Sequence, residues 1–177
     1  SIYIPSSYQN DPASAKVLAD TLIYMIDGII AAHPDKFARG DSPEMIENNF
    51  EKGLISLPMG MENGAPLITL DDIRYYYSKG IRYVTLTHGK DNHICDSSYD
   101  TTATWGGLSP YGLKAIAEMN NIGMIIDVSH ISDKTFYQVM EHSRAPVLAT
   151  HSSCRYFTPG WERNMSDEMI IELGKHG

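Results

Sequence analysis

Apolar and polar positions along this 177-residue chain follow two different periods, and the switches between them divide it into helices and strands. Asp11-Pro12 supplies an N-cap and a first-turn proline. From there apolar residues recur at helical spacing to about Ala32, which predicts a long amphipathic helix. Ser42-Pro43 opens a short second helix, closed by a glycine C-cap at Gly53. Thr69-Leu-Asp-Asp72 resembles a capping box and opens a third helix, which ends at Gly80. Ser109-Pro110 starts a fourth, ending at Gly123. Ser132 caps a helix over Phe136–Glu141, and Ser166 opens a last one that runs to the chain end. Between the helices lie apolar runs of strand length with β-branched content: Gly53–Glu62, with its strand over Leu54–Met61, then Gly80–His88, Gly123–His130 and Ala145–His151, the last with a strand over Val147–Thr150. Ser1–Ile4 reads as the tail of one more strand.

Strands alternating with helices predict an α/β fold with a parallel sheet, as a single domain over residues 1–177. In a parallel barrel the carboxyl ends of all strands meet on one rim, and catalytic residues sit there. Each of the four runs stops on a residue that can bind a metal or move a proton: Glu62, His88, His130 and His151. Taken singly, each has a plainer reading. Glu62, before Asn63-Gly64, also reads as a solvated turn residue. A histidine at a strand end is more often packed than a ligand, but His130 and His151 hold equivalent positions in neighbouring units, which brings the ligand reading level with the packed one. His88 reads as a ligand or as a group that steadies an oxyanion. Asp127 reads as core-facing or as a support for His130. Arg163, within Trp161-Glu-Arg-Asn164, reads as a grip for a carboxylate or as a surface residue near a helix start. His93 is expected in solvent. His33-Pro34-Asp35 forms an HxD metal pair, but it ends a helix and is expected to face away from the rim. The long Gly89–Leu108 loop, with Trp105-Gly106-Gly107 and many Asp, Ser and Thr residues, is expected to form a substrate wall.

Composition narrows the function. A net charge of −8 argues against a nucleic-acid surface and accords with metal cations or small polar substrates. The longest apolar stretch, Leu22–Ala32, is broken by Asp27-Gly28 and falls far short of the ~20 residues of a membrane span. Cys95 and Cys154 form no CxxC pattern and leave the compartment open, periplasmic, secreted or cytoplasmic. The start at Ser1 reads as processed or truncated.

Gly60-Met-Glu-Asn-Gly64, Arg82-Tyr-Val-Thr-Leu-Thr-His88, Gly107-Leu-Ser-Pro-Tyr-Gly112, Ile126-Asp-Val-Ser-His130, Arg144-Ala-Pro-Val147, His151-Ser-Ser153 and Arg163-Asn164 together resemble the membrane (renal) dipeptidase family, in that family's order and at about its spacing. The resemblance implies a (β/α)8 TIM barrel of the metal-dependent hydrolase type. It implies a metallo-dipeptidase that cleaves dipeptides with a hydroxide bridging two zinc ions per complete site. Under it, Glu62 bridges the zincs, His130 and His151 complete the protein ligands of one zinc, His88 contacts the scissile group, and Arg163 holds the substrate carboxylate. A homodimer is compatible with it, and Asn164-Met-Ser-Asp167 is more like bacterial members. Three features depart from the family pattern. Its first-strand HxD pair and last-strand Asp are absent, and Ala65 stands where many relatives have His. A barrel of this kind takes about 250 residues. The chain therefore reads as an incomplete barrel, roughly βα units 2–6, expected to be inactive by itself. A lactonase, a deaminase and a non-catalytic metal-binding fragment remain the alternatives.

Overall fold

The computed structural model describes residues 1–176. Its main sheet has four parallel strands in the order β1 (Ile2–Tyr3), β4 (Met59–Glu62), β5 (Ile81–Thr85) and β6 (Ile125–Asp127). Leu148 continues the sheet beyond β6 through a single parallel bridge to Asp127. Between them run the helices α1 (Pro12–Ala32), α2 (Pro43–Glu51), α3 (Leu70–Ser78), α4 (Pro110–Ile122), α5 (Asp133–His142) and α6 (Asp167–His176). Helices cover the parallel strands, and their mutual packing runs α3 to α4 to α5 to α6. This is an arc of a parallel β/α barrel, and the strands all point their carboxyl ends to one side.

The helix boundaries follow from the local chemistry. Asp11 accepts from Ser14 N ahead of Pro12, and Ser42, Ser109 and Ser132 each cap their helix in the same manner. Thr69 and Asp72 form a reciprocal capping box, so Asp satisfies the Glu/Gln role at that spacing. Gly123 closes α4 in the left-handed conformation, with φ at 80°. The core beneath the helices is built from Ile4, Met61, Leu67, Ile73, Ile81, Leu86, Ile116 and Phe136, all fully buried. Gly60 lies against the Tyr83 ring of the neighbouring strand, and a Cβ there would collide with it, so the ring keeps this place only over glycine.

Two strand expectations need correction. Leu54–Met61 is not one strand. Pro58 has no N–H to donate and divides it into β3 (Ile55–Leu57) and β4. β3 leaves the main sheet and pairs in parallel with β2 (Phe37–Arg39), a strand that the sequence pattern did not reveal. Val147–Thr150 forms only the bridge at Leu148, held by Val128 N to Leu148 O at 2.7 Å and Leu148 N to Ile126 O at 2.9 Å. His93 is not solvated either. It is half-buried, tilted against the Tyr111 ring, with Nε2 at 2.7 Å from Leu67 O. Burial pushes its imidazole below the ordinary range. The helix start missed in the sequence is that of α5, which opens at Asp133 rather than Phe136.

Candidate metal centre

Glu62 is the last residue of β4. His88, His130 and His151 each follow the last sheet-bonded residue of their unit by three positions, after Thr85, Asp127 and Leu148. The rim therefore collects all four, although up to 89 positions separate them in sequence. Glu62 Oε1 lies 3.3 Å from His130 Nε2 and 3.2 Å from His151 Nε2, and the two ring nitrogens are 2.9 Å apart. Among the described residues, these three form the one group of His, Cys, Asp or Glu close enough to hold a metal ion. His88 Nε2 stands 3.7 Å from the same Glu62 oxygen, and its ring is 4.3 Å from that of His130. Arg163, only 8% exposed, sets a guanidinium nitrogen 3.0 Å from His130 Nε2 and another 3.1 Å from Ser152 Oγ. The exposed His33-Pro34-Asp35 segment at the end of α1 takes no part.

The backbone is bent to bring these side chains inward. His130 and Asn63, next to Glu62, both have positive φ, 70° and 78°, which is uncommon for residues other than glycine. Asn63 is fixed there by its own side chain. Nδ2 donates to Ile4 O at 2.9 Å, and Oδ1 accepts from Ala65 N at 3.2 Å. At His130 the backbone carbonyl accepts from Ser98 N at 2.7 Å, which ties the rim to the 89–108 loop.

A second layer decides which ring nitrogens carry hydrogen. Asp127 is fully buried and, as a carboxylate, can only accept. Its Oδ1 takes the backbone N–H groups of Ser129 and Thr150, both at 3.0 Å. Its Oδ2 takes the hydroxyls of Thr85 and Thr150, the latter at 2.7 Å. Since the Thr150 hydroxyl hydrogen is used on Asp127, Thr150 Oγ1 can only accept from His151 Nδ1, 2.7 Å away. His151 thus holds its proton on Nδ1 and turns the Nε2 lone pair toward Glu62 and His130. This corresponds to the orientation that metal-binding histidines are given by their supporting acceptors.

His130 Nε2 has three neighbours that no single proton arrangement satisfies. With a hydrogen it suits Glu62 but opposes the Arg163 N–H. With a lone pair it suits Arg163 but opposes the Glu62 carboxylate and the His151 lone pair. A cation would accept the Glu62 charge and both ring lone pairs at once, with the Arg163 N–H turning to another acceptor, and sides of 2.9–3.3 Å suit an ion above the plane of the three atoms at about 2.0–2.2 Å from each. A carboxylate with two imidazoles is a donor set suited to zinc. The surroundings of Glu62 and His130 favour the forms that bind cations. Contact with His130, against the opposing effect of burial, holds the Glu62 carboxyl below its usual range. Burial pushes both His130 and His88 below the ordinary imidazole range, which favours neutral rings.

The 89–108 loop is ordered by its acids. Asp91 accepts from Ser97 N and Thr104 N, Asp96 from Trp105 N and Gly107 N, and Asp100 from Thr102 N and Asp91 N. The loop brings Tyr99 within 5.9 Å of the His130 ring and 6.4 Å of Trp161. Both aromatics are partly exposed at the mouth of the centre. Cys95 and Cys154 are free thiols. The sequence reading missed Thr85, Thr150 and Ser6, which bonds His88 Nδ1 at 3.1 Å. Thr150 had one usable signal, a hydroxyl adjacent to a candidate ligand. Thr85 and Ser6 had none.

Known proteins share this arrangement of chain. The model of the membrane dipeptidase family (peptidase family M19) matches residues 1–177. An uncharacterized dipeptidase of Schizosaccharomyces pombe is 38% identical over 128 residues, covering 71% of this chain and 30% of its own length. Dipeptidase tcpJ of Claviceps purpurea is 33% identical over 152 residues, covering 85% of this chain and 36% of its own. The crystal structure of the probable dipeptidase PvdM from Pseudomonas aeruginosa superposes with a TM-score of 0.88 at 29% identity, over 93% of this chain and 43% of that one. The chain thus spans about a third of the length of these curated relatives, 30% and 36%. Among the described residues no helix is long and apolar enough to cross a membrane.

Proposed function

The chain belongs to the membrane dipeptidase family, and on that premise we propose that the protein hydrolyses the peptide bond of dipeptides, with Glu62, His130 and His151 as protein ligands of a catalytic zinc. The observation that carries this reading is the triangle of Glu62 Oε1, His130 Nε2 and His151 Nε2, a carboxylate oxygen and two ring nitrogens crowded within 3.3 Å of one another, as ligands of one cation would be. Zinc held by these residues would lower the pKa of a bound water to ~7 and so would supply hydroxide at neutral pH.

The remaining roles belong to this chain's own side chains. His88 Nε2, beside Glu62, donates a hydrogen bond to the carbonyl oxygen as negative charge develops there. Arg163 presents a planar fork of donors from the loop after His151, suited to the free carboxylate of a dipeptide. Gripping that carboxylate at a fixed distance from the scissile bond favours dipeptides over longer peptides. Asp127, through Thr150, keeps His151 in its ligand tautomer. Residues 1–177 alone are proposed to be inactive, because they supply three grouped ligands and a two-ion site requires more.

Arg163→Ala in the complete zinc-loaded enzyme provides the test. Its KM for a free dipeptide is expected to rise far more than its KM for the same dipeptide amidated at its C-terminus. A charge-assisted contact of this kind contributes about 1.5–3 kcal/mol, or roughly 10–100-fold. Steady-state kinetics on the two substrates, with a lactone as a third, reads the outcome. Equal losses on both peptides would remove Arg163 from the substrate site. Hydrolysis of the lactone with none of the dipeptide would overturn the function itself.

A further inference from the structure

Ser6 lies in the 3-10 turn Ser6–Tyr8 that follows β1, far from His88 in sequence but against it in space. Two hydrogen bonds meet at its hydroxyl. Gly89 N donates to Ser6 Oγ at 2.9 Å, and Ser6 Oγ lies 3.1 Å from His88 Nδ1. The Gly89 bond uses an acceptor site on the oxygen and leaves the hydroxyl hydrogen free. Among the described residues, His88 Nδ1 is the acceptor within reach of that hydrogen. A serine that donates to Nδ1 leaves a neutral imidazole its proton on Nε2. Nε2 is the nitrogen that faces the centre, 3.7 Å from Glu62 Oε1. The Tyr3 ring, from the strand that leads into the same turn, stands edge-on to the other side of His88 at 5.1 Å. The turn after β1 therefore packs the ring and offers Nδ1 a hydroxyl hydrogen, while the Glu62 oxygen 3.7 Å from Nε2 favours the ring proton on that nitrogen.

We propose that Ser6 is a positioning residue that holds His88 in the Nε2–H form, so that the ring presents a donor, and not a lone pair, to the carbonyl oxygen of the substrate. The proposal rests on the reading of His88 as the group that contacts the scissile carbonyl. His151 has the opposite setting: the Thr150 hydrogen is spent on Asp127, so His151 turns a lone pair inward, whereas the Ser6 hydrogen is free to go to His88 Nδ1 and leave a hydrogen on the inward nitrogen. One rim thus carries ring nitrogens for a cation and a ring N–H for an oxyanion, and the hydroxyl behind each ring distinguishes them.

The test uses the complete zinc-loaded enzyme and a dipeptide substrate, with Ser6→Ala, Ser6→Thr and His88→Ala. Ser6→Ala is expected to lower kcat about 10–100-fold, the range for loss of an orienting partner, with KM and zinc content close to those of the parent. Ser6→Thr keeps the hydroxyl and is expected to recover most of the kcat. In spectra of enzyme labelled with 15N-histidine, His88 is expected as the Nε2–H tautomer in the parent and in Ser6→Thr, and as a mixture in Ser6→Ala. Retention of kcat within twofold in Ser6→Ala, an equal loss in Ser6→Thr, or an Nδ1–H tautomer in the parent would overturn the proposal. If His88→Ala lowers kcat while Ser6→Ala does not, the Ser6 role falls and the role of His88 stands. If His88→Ala retains kcat, both fall.

Discussion

Glu62→Gln in the complete zinc-loaded enzyme is expected to abolish dipeptide hydrolysis to at least about 1,000-fold below the parent, with loss of bound zinc, because a metal centre supplies several kcal/mol of transition-state stabilisation. The amide has nearly the same volume, so the loss reports charge and donor chemistry rather than packing. Glu62 Oε1 is the one atom in contact with all three rim histidines, at 3.7 Å from His88, 3.3 Å from His130 and 3.2 Å from His151. It is also the only negative charge in that ring of imidazoles and the Arg163 guanidinium. Without it, any ion at the centre faces two neutral nitrogens and a nearby cation. Zinc content by atomic absorption and turnover by product chromatography read the two effects, with circular dichroism as the check on folding. A folded variant with full zinc and turnover within tenfold of the parent would remove Glu62 from the metal shell.

Asp127 has two separable effects. Asp127→Ala leaves the buried N–H groups of Ser129 and Thr150 without acceptors. Each such group costs about 1–3 kcal/mol, so a loss on the order of 3–5 kcal/mol is expected in thermal or denaturant unfolding. Asp127→Asn behaves differently. The two backbone N–H groups on Oδ1 cannot reverse, so the amide oxygen must stay on their side and the NH2 must face the threonine hydroxyls. Those hydroxyls can rotate. Thr150 then accepts from Asn and donates its own hydrogen to His151 Nδ1, which moves the ring proton to Nε2 and withdraws the lone pair from the centre. Zinc affinity is therefore expected to fall about 10–100-fold, the usual effect of a supporting partner, in a protein that remains folded. A competitive zinc titration measures it. Unchanged affinity in Asp127→Asn would show that Thr150 does not set the tautomer of His151.

The rim was legible in the sequence because local and long-range signals coincide there. Serine, threonine and aspartate caps, the glycine that ends α4 and the apolar runs between them mark where helices stop and strands begin, and in a parallel sheet the residue after each run has only one end of the barrel to occupy. Glu62, His130 and His151 converge for that reason. What escaped were features with no period. β2 has three residues, too few to alternate, and its partner β3 was hidden because Pro58 joins it to β4 in one apolar run. His93 was read as solvated because its loop is polar, yet the loop folds back on itself and buries it against Tyr111 and Leu67. Thr85, Thr150 and Ser6 act through hydroxyl hydrogens aimed at a partner on another strand, and residue type alone carries no direction.

The parallel order of the sheet has a kinetic consequence. No tight turn can close a parallel pair. β4 meets β5 only after α3 has been traversed, and β5 meets β6 only after the 89–108 loop and α4. Each closure loses chain entropy before its contacts repay the loss, so such pairings form slowly. The donors of the metal centre sit at the far ends of these strands and lie side by side only when the successive closures are complete. An ion arriving early has no triangle to enter. Its binding energy would fall on the finished fold and not on the route to it, so a metal bound there is expected to slow unfolding without hastening folding.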